Sequence, residues 1–184
     1  MKTALLVIDV QQLLCTGQWA CHDIDTVVDR INALVARARA AGQPVIYIQH
    51  EEPDCPLAHG TPGWQLYARL EAKADDIRIR KTTPDSFQRT ELDAKLKSLG
   101  ADSVVICGLQ SEYCVDSTAR GALARGYPVT LAADAHSTMD NGVLKAAEIS
   151  AHHNATLAGM SSFGPRVTVT PAAQIALEPA PARA

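Results

Sequence analysis

Short apolar runs alternate with longer amphipathic segments along the whole chain. The apolar runs cover residues 4–8, 44–48, 77–79, 104–107, 129–132 and 166–170. Uninterrupted runs of this length are typical of strands that are buried on both faces of a parallel sheet. The pattern therefore predicts a mainly parallel sheet of about six strands.

The segments between these runs carry apolar residues at helical spacing. In residues 24–41 they recur every three or four positions, and Gly42 follows, as at many helix ends. The other predicted helices cover residues 66–74, 91–99 (with Thr90 as N-cap), 114–125 and 142–158. Regular alternation of strands and helices predicts a three-layer αβα fold around a Rossmann-like sheet.

Proline and glycine mark two irregular regions. Residues 51–63 contain three prolines and two glycines, which predicts a long loop of the kind that often carries function. Residues 171–184 begin with Pro171 and are expected to form a C-terminal tail or arm. Because no repeat or linker divides the remainder, residues 1–170 are predicted to be one domain.

Composition narrows the class of protein. The chain has 184 residues, 47% of them hydrophobic and 20% charged, with a net charge of −3. The mixed, slightly acidic charge argues against a nucleic-acid or membrane-surface partner. The apolar runs are far shorter than the ~20 residues that span a bilayer. The first strand begins almost at Met1 and leaves no room for a signal peptide, so a cytoplasmic location is expected.

Five cysteines occur, an odd number without a C-x-x-C pair: Cys15, Cys21, Cys55, Cys107 and Cys114. This usage fits neither a disulfide framework nor a zinc site, so reduced thiols are expected. A redox sensor that pairs Cys107 with Cys114 remains an alternative, although such a bond would strain the end of a strand.

Three chemically reactive side chains follow predicted strands, namely Asp9, Lys81 and Cys114. Because ligands bind beyond the carboxyl ends of parallel strands, these side chains are expected to converge. Cys114 is predicted at a helix start after Ser111 as cap, where the helix dipole favours a thiolate and free N–H groups can hold an oxyanion. Each residue alone also fits a structural role. Together they indicate nucleophilic acyl transfer.

An ordered set of motifs accompanies these residues. It comprises Leu6-Val7-Ile8-Asp9-Val10-Gln11, Lys81 with Ser86-Phe87, and Gly108-Leu109-Gln110-Ser111-Glu112-Tyr113-Cys114-Val115 with Thr118. On these residues the chain resembles the isochorismatase-like cysteine hydrolases, a group that includes nicotinamidases and N-carbamoylsarcosine amidases.

The resemblance implies a catalytic triad of Asp9, Lys81 and Cys114 and a cis peptide bond between Leu109 and Gln110. It also implies that the N–H groups of Gln110 and Cys114 hold the oxyanion, that no cofactor is needed, and that subunits form a homodimer or homotetramer. The expected function is hydrolysis of an amide or ureido C–N bond in a small molecule through a thioester. The cysteine favours this chemistry over the alternative, hydrolysis of a vinyl ether.

No metal site is predicted. Metal-bearing nicotinamidases have an Asp-x-His pair after the second strand, which this sequence lacks. His50, Glu52 and His59 are therefore expected in a solvated loop rather than around a metal. His152 and His153 are adjacent on a predicted helix and cannot share a face.

Seven residues beside the motifs or in loops are candidates for the substrate pocket: Gln11, Leu14, Trp19, Trp64, Phe87, Tyr113 and His136. The two tryptophans suggest a wall for a flat or apolar group. Core packing or a subunit contact is the alternative for each of the seven.

Two other α/β classes fit the sequence less well. A phospho-acceptor signalling domain needs paired acids after the first strand, whereas Val10 follows Asp9. A nucleotide-binding domain needs a glycine-rich phosphate loop, and neither G-x-G-x-x-G after the first strand nor G-x-x-x-x-G-K-[ST] is present.

Overall fold

A parallel sheet of six strands runs through the protein, which is described over residues 1–179 by a computed structural model. In chain order the strands are β1 (Thr3–Ile8), β2 (Val45–His50), β3 (Ile77–Lys81), β4 (Ser103–Leu109), β5 (Val129–Ser137) and β6 (Val167–Thr170). Their order across the sheet is β3-β2-β1-β4-β5-β6, and every neighbouring pair is parallel. The predicted sheet is confirmed.

Helices cover both faces of this sheet. They are α1 (Gln12–Cys15), α2 (Ile24–Ala40), α3 (Leu92–Leu99), α4 (Asp116–Ala124) and α5 (Ala146–Ala158). Leu5 and Val7 of β1 pack into a core with α2, whereas Leu6 and Ile8 pack into a core with α3, α4 and α5. Alternate side chains of a strand point to opposite faces, so an apolar strand needs a helical layer on each side. The predicted three-layer α/β fold is confirmed. Within residues 1–179, no helix is long and apolar enough to cross a membrane.

The order of the strands reverses between β1 and β4. From β1 the chain builds β2 and β3 on one side, then returns to build β4, β5 and β6 on the other. The loops that leave β1 and β4 therefore diverge and open a crevice beyond the carboxyl ends of the strands. Asp9 and the segment that begins at Gln110 lie at this crevice.

β1 and β4 approach each other closely at Gly108, which pairs with Ile8. Gly108 has a φ of +116°, and a Cβ added there would lie 2.1 Å from the Ile8 carbonyl oxygen. We expect Gly108→Ala to lower the free energy of unfolding by about 3 kcal/mol or more, because two paired backbones cannot yield. Gly126→Ala is the matched control, since Gly126 has a φ of +88° but no atom within 4 Å of the added carbon. If Gly108→Ala and Gly126→Ala lost equal stability in urea denaturation, a clash with Ile8 would not explain the effect at Gly108.

Residues 66–74, predicted to form a short helix, form turns and irregular structure instead. Side chains of α2 supply the hydrogen-bonding partners that a helix would have provided. Asn32 Nδ2 donates to the Arg69 carbonyl at 2.8 Å, and its Oδ1 accepts from the Glu71 N–H at 2.9 Å. Arg39 donates to the Glu71 carbonyl at 2.9 Å. These long-range bonds replace the local helical ones, so the predicted helix is wrong.

The helix predicted over residues 142–158 begins later, at Ala146. Asn141 Oδ1 accepts hydrogen bonds from the N–H groups of Val143 and Leu144, and Asp140 Oδ1 accepts one from that of Ala146. Asx side chains that bond nearby backbone in this way favour turns over helix. The two residues therefore delay the start of α5.

The segment 171–179, part of the predicted C-terminal tail or arm, packs against α2. Ala172 and Ile175 are buried in the core on the α2 side of the sheet. Arg37 of α2 donates a hydrogen bond to the Ala173 carbonyl at 2.7 Å. The packed structure thus extends beyond residue 170. The rest of the predicted arm, residues 180–184, lies outside the described residues.

Candidate active site

Asp9, Lys81 and Cys114 meet at the crevice beyond β1 and β4. Lys81 Nζ lies 2.7 Å from Asp9 Oδ2 and 3.1 Å from Cys114 Sγ. The side chains of Asp9 and Lys81 are fully enclosed, whereas Cys114 is partly buried and borders a cavity. The fold therefore brings together an acid, a cation and a thiol that are far apart in the sequence.

The sheet fixes the positions of the acid and the cation. Lys81 is the last residue of β3, and Asp9 directly follows β1 with a φ of +50°. Such a backbone conformation is uncommon for a residue other than glycine, and outliers of this kind concentrate at functional sites. The Asp9 N–H donates to the Ile48 carbonyl at 2.9 Å, which holds the turn against β2.

Cys114 lies in a π-type turn, Ser111–Val115, that leads from β4 into α4. The peptide bond between Leu109 and Gln110, just before this turn, is cis. The prediction of a helix that starts at Cys114 with Ser111 as its cap is wrong, because the turn already begins at Ser111 and has no side-chain cap. The Ser111 hydroxyl is instead bonded to His136.

The electrostatics of Cys114 also differ from the expected thiolate. Burial and the neighbouring Asp9 carboxylate raise the pKa of the Cys114 thiol, and the Lys81 ammonium only partly offsets them. Burial opposes the charge on Lys81, yet attraction to Asp9 and Cys114 leaves the lysine pKa above its usual value. At rest the cluster therefore favours an ammonium on Lys81 beside a neutral Cys114 thiol.

The segment that follows Lys81 is anchored to α4, the helix after the thiol. Ser86 Oγ and Thr118 Oγ1 are 2.7 Å apart, and both residues are buried. Phe87, predicted to contact substrate, packs in the core with its ring stacked on Tyr127, the centroids 6.2 Å apart. These motif residues fix the Lys81 segment relative to α4 and do not form the cavity.

A cavity of about 310 Å³ opens over Cys114. It is lined by Asp9, Leu14, His50, Glu52, Leu57, Thr82, Pro84, Gln110, Tyr113 and Cys114. Two of the predicted pocket residues, Leu14 and Tyr113, are among them, and Tyr113 is 53% exposed. The volume is at the low end of the range for small-molecule sites.

Three other predicted pocket residues lie outside the cavity walls. Trp64 is buried against His59, with the ring centroids 4.6 Å apart, and Trp19 is half exposed in a 3₁₀ turn. Gln11 is buried and bonded to the backbone of His50, so it supports the cavity wall from behind.

His136, also predicted to contact substrate, is buried beneath the turn that carries Cys114. Its Nδ1 accepts a hydrogen bond from Ser111 Oγ at 2.8 Å, and its Nε2 donates to Asn154 Oδ1 at 3.0 Å. Asn154 Nδ2 donates to the Ala133 carbonyl at 2.9 Å, which fixes this tautomer. Burial lowers the pKa of His136 below its usual 6.5, so a neutral ring holds Ser111.

We expect His136→Leu to lower the free energy of unfolding by about 2 kcal/mol or more at neutral pH, because Ser111 and Asn154 lose buried partners. In the wild type the unfolded chain binds more protons than the folded one just below pH 6.5, so stability falls as the pH falls through this range. His136→Leu lacks this pH-dependent contribution to the free energy of unfolding. Urea denaturation between about pH 5 and 7 measures both effects. His152→Asn, at an exposed histidine, is the control, and an unchanged pH slope in His136→Leu would contradict this account.

Sequence reasoning missed half of the cavity walls. His50 and Glu52 were considered only as metal ligands with His59, and Leu57, Thr82 and Pro84 gave no signal beyond their place in irregular loops. His50 Nε2 lies 3.0 Å from Glu52 Oε1, whereas His59 packs on Trp64, so the three do not gather around one point.

One cluster in residues 1–179 has the spacing of a metal site. Ligand atoms of Asp9, His50 and Cys114 lie within 4.8 Å of one another. Lys81 Nζ contacts all three side chains, so an ammonium already supplies a cation there.

The five cysteines are free, and the sheet separates Cys107 from Cys114. Cys107 is fully buried in the core on the α2 side, whereas Cys114 packs against the opposite core. A disulfide between them would require one thiol to cross the sheet, so the pairing of a redox sensor does not fit this fold.

A three-layer α/β domain with an acid, a lysine and a cysteine beside a cavity at its switch point defines an isochorismatase-like protein. The chain belongs to the isochorismatase family, whose Isochorismatase domain matches residues 3–170. The resemblance drawn from the sequence motifs is confirmed.

Similar proteins share the fold over most of the chain. A crystal structure of an isochorismatase family protein superimposes with a TM-score of 0.84 at 35% identity, covering 91% of this chain and 97% of the other. N-carbamoylsarcosine amidase from Thermoplasma acidophilum gives a TM-score of 0.77 at 26% identity, covering 95% and 99%. Streptothricin hydrolase from Streptomyces noursei is 43% identical over 138 residues, which are 74% of this chain and 55% of that protein. The chain spans about half the length of the curated relatives it matches first.

Proposed function

We propose that the protein is a cysteine-dependent hydrolase that cleaves a C–N bond, amide or ureido, in a small molecule through a thioester. The observation that carries this proposal is the Cys114 thiol at the floor of a small cavity, in contact with Lys81 and beside Asp9. A thiol beside a base is the arrangement that nucleophilic acyl transfer requires.

In the first half of the reaction, the Asp9 carboxylate accepts the proton of the Cys114 thiol as sulfur attacks the carbonyl carbon. The raised pKa of the thiol means that this transfer accompanies attack rather than preceding it. The carbonyl oxygen becomes an oxyanion, held in our proposal by the N–H groups of Gln110 and Cys114. Asp9 then gives its proton to the nitrogen, the C–N bond breaks, and ammonia or an amine leaves.

In the second half, water attacks the thioester. Asp9 takes a proton from water as the new C–O bond forms, and the C–S bond breaks to release the acid. The proton on Asp9 returns to sulfur and restores the thiol. Lys81 remains an ammonium throughout, because its raised pKa keeps it charged while its neighbours exchange a proton.

The similar proteins support C–N chemistry. One solved neighbour is an N-carbamoylsarcosine amidase, a name that describes hydrolysis of a C–N bond. The structural alignment covers 99% of that protein. Streptothricin hydrolase is likewise a hydrolase by name. The cavity of about 310 Å³ suits a substrate of modest size.

A substrate panel tests the proposal. The purified protein is incubated with small primary amides, N-carbamoyl amino acids and an isochorismate-type vinyl ether, and the release of ammonia, amine or enol product is measured. We expect turnover of members of the first two groups. Turnover confined to the vinyl ether would overturn the proposal in favour of the alternative chemistry.

A further inference from the structure

His50 borders the cavity and contacts Lys81, yet the mechanism above gives it no role. His50 and Lys81 pair across β2 and β3, and His50 Nδ1 lies 3.3 Å from Lys81 Nζ. A lysine ammonium only donates hydrogen bonds. His50 Nδ1 is therefore the acceptor in this contact, and it carries no proton.

Lys81 has three N–H donors and four neighbours within reach. Asp9 Oδ2 is at 2.7 Å, Cys114 Sγ at 3.1 Å, the Thr83 carbonyl at 3.2 Å and His50 Nδ1 at 3.3 Å. In the proposed reaction Asp9 and Cys114 exchange a proton, so their electrostatic attraction to the Lys81 ammonium changes during the reaction. The Thr83 carbonyl and His50 Nδ1 take no part in that exchange, which makes them the constant part of its surroundings.

Glu52 fixes the tautomer that lets His50 accept. His50 Nε2 lies 3.0 Å from Glu52 Oε1, and a carboxylate accepts hydrogen bonds but does not donate them. This contact places the proton on Nε2 and leaves Nδ1 open to Lys81. The side chain of His50 is 12% exposed and that of Glu52 is 60% exposed, so the pair links the enclosed lysine to the open side of the cavity.

Gln11 fixes the backbone of His50. Gln11 is fully buried, its Nε2 donates to the His50 carbonyl at 2.9 Å, and its Oε1 accepts from the His50 N–H at 2.9 Å. Gln11 lies two residues beyond Asp9. The segment that follows β1 therefore provides both Asp9, the acid of the cluster, and Gln11, which holds the backbone of the residue that contacts Lys81.

We propose that His50 is a positioning residue. Gln11 and Glu52 hold His50 in place, and His50 keeps the Lys81 ammonium between Asp9 and Cys114 while those two groups exchange a proton. Its effect on turnover rests on the proposed function, whereas the contact itself does not depend on any substrate.

Two substitutions at His50 test the role of its acceptor. His50→Leu removes the acceptor, whereas His50→Asn retains one, since the asparagine Oδ1 can reach the place of Nδ1. We expect His50→Leu to lower kcat about 10- to 100-fold, the effect of losing a hydrogen bond to a charged group, with KM nearly unchanged. His50→Asn recovers most of the loss, and Glu52→Leu, which removes the acceptor of the Nε2–H bond, gives a smaller loss in the same direction.

A second readout needs no substrate. The rate at which iodoacetamide alkylates Cys114 is measured against pH and mapped by mass spectrometry. In His50→Leu the rate should rise at a higher pH than in the wild type, because a displaced ammonium stabilises the thiolate less. His50→Asn restores the wild-type profile, and His152→Asn, the same change at an exposed histidine of α5, leaves both readouts unchanged.

The proposal is overturned if folded His50→Leu matches the wild type in kcat and alkylation profile, or if His50→Asn and His50→Leu change both equally. Should His50→Leu fail to fold, Glu52→Leu, which removes the acceptor of the Nε2–H bond at an exposed position, decides in the same two assays, and wild-type behaviour there overturns the proposal. If the wild type hydrolyses no amide or ureido compound, the proposed function fails, and the alkylation profiles alone decide the role of His50.

Discussion

Cys114→Ala is expected to hydrolyse the best amide or ureido compound of the panel at least about 10⁴-fold more slowly than the wild type. Alanine leaves Asp9, Lys81 and the cavity walls in place but removes the sulfur that forms the thioester. The fold should persist, because Cys114 is only partly buried and borders the cavity, so a smaller side chain there leaves little new empty space in the core. Initial rates of ammonia or amine release at saturating substrate measure the loss.

Cys55→Ala is the matched control for this loss. Cys55 is also a free, partly buried thiol, and its Sγ forms hydrogen bonds with the Glu52 carbonyl and the Leu57 N–H in the 51–63 loop. Its removal should leave kcat within a small factor of the wild type. Turnover by Cys114→Ala at a rate close to that of Cys55→Ala would show that no sulfur nucleophile takes part.

Asp9→Asn is expected to lower kcat about 10²- to 10⁴-fold, because the amide keeps the shape of the carboxylate but cannot accept the thiol proton. It should also lower the free energy of unfolding by about 3–5 kcal/mol, since Lys81 then remains charged and buried without its counter-ion. Steady-state kinetics and urea denaturation of the same preparation measure the two effects.

The double variant Asp9→Asn/Lys81→Met separates the two consequences. It contains neither buried charge, so much of the lost stability should return while kcat stays at least as low as in Asp9→Asn. If Asp9→Asn alone retained wild-type kcat, another group would have to be the base. If the double variant stayed as unstable as Asp9→Asn, the unpaired lysine would not explain the loss.

The sequence was informative where strand ends bring residues together. Apolar runs locate the strands, parallel pairing aligns their carboxyl ends, and polar residues just after them must then be neighbours. This reasoning placed Asp9, Lys81 and Cys114 in one cluster, as the distances show. The sheet fixes the positions of Asp9 and Lys81, and the π-type turn after β4 brings Cys114 to them.

The cavity walls were less predictable because loops and long-range contacts decide them. Nothing local distinguishes Phe87, which stacks on Tyr127 in the core, from a side chain at the cavity. The role of Gln11 depends on its contact with His50, 39 residues away. Residues 66–74 carry helical spacing but take their hydrogen bonds from α2.

The state of the thiol was also beyond local reasoning. A cysteine near a predicted helix start suggested a lowered pKa, but Cys114 lies within the π-type turn that precedes α4, enclosed beside Asp9. Burial and Asp9 then raise the pKa instead. A neutral thiol requires a base at the moment of attack, and in the proposed reaction that base is Asp9.

The thioester is the central claim, and the mass of the protein quenched in acid during turnover tests it most directly. With the amide or ureido compound cleaved fastest, we predict an adduct equal in mass to the acyl part of the substrate. Peptide mapping should place it on Cys114, and Cys114→Ala should not form it. Sustained turnover by wild type and Cys114→Ala alike, with no adduct on Cys114, would contradict the account.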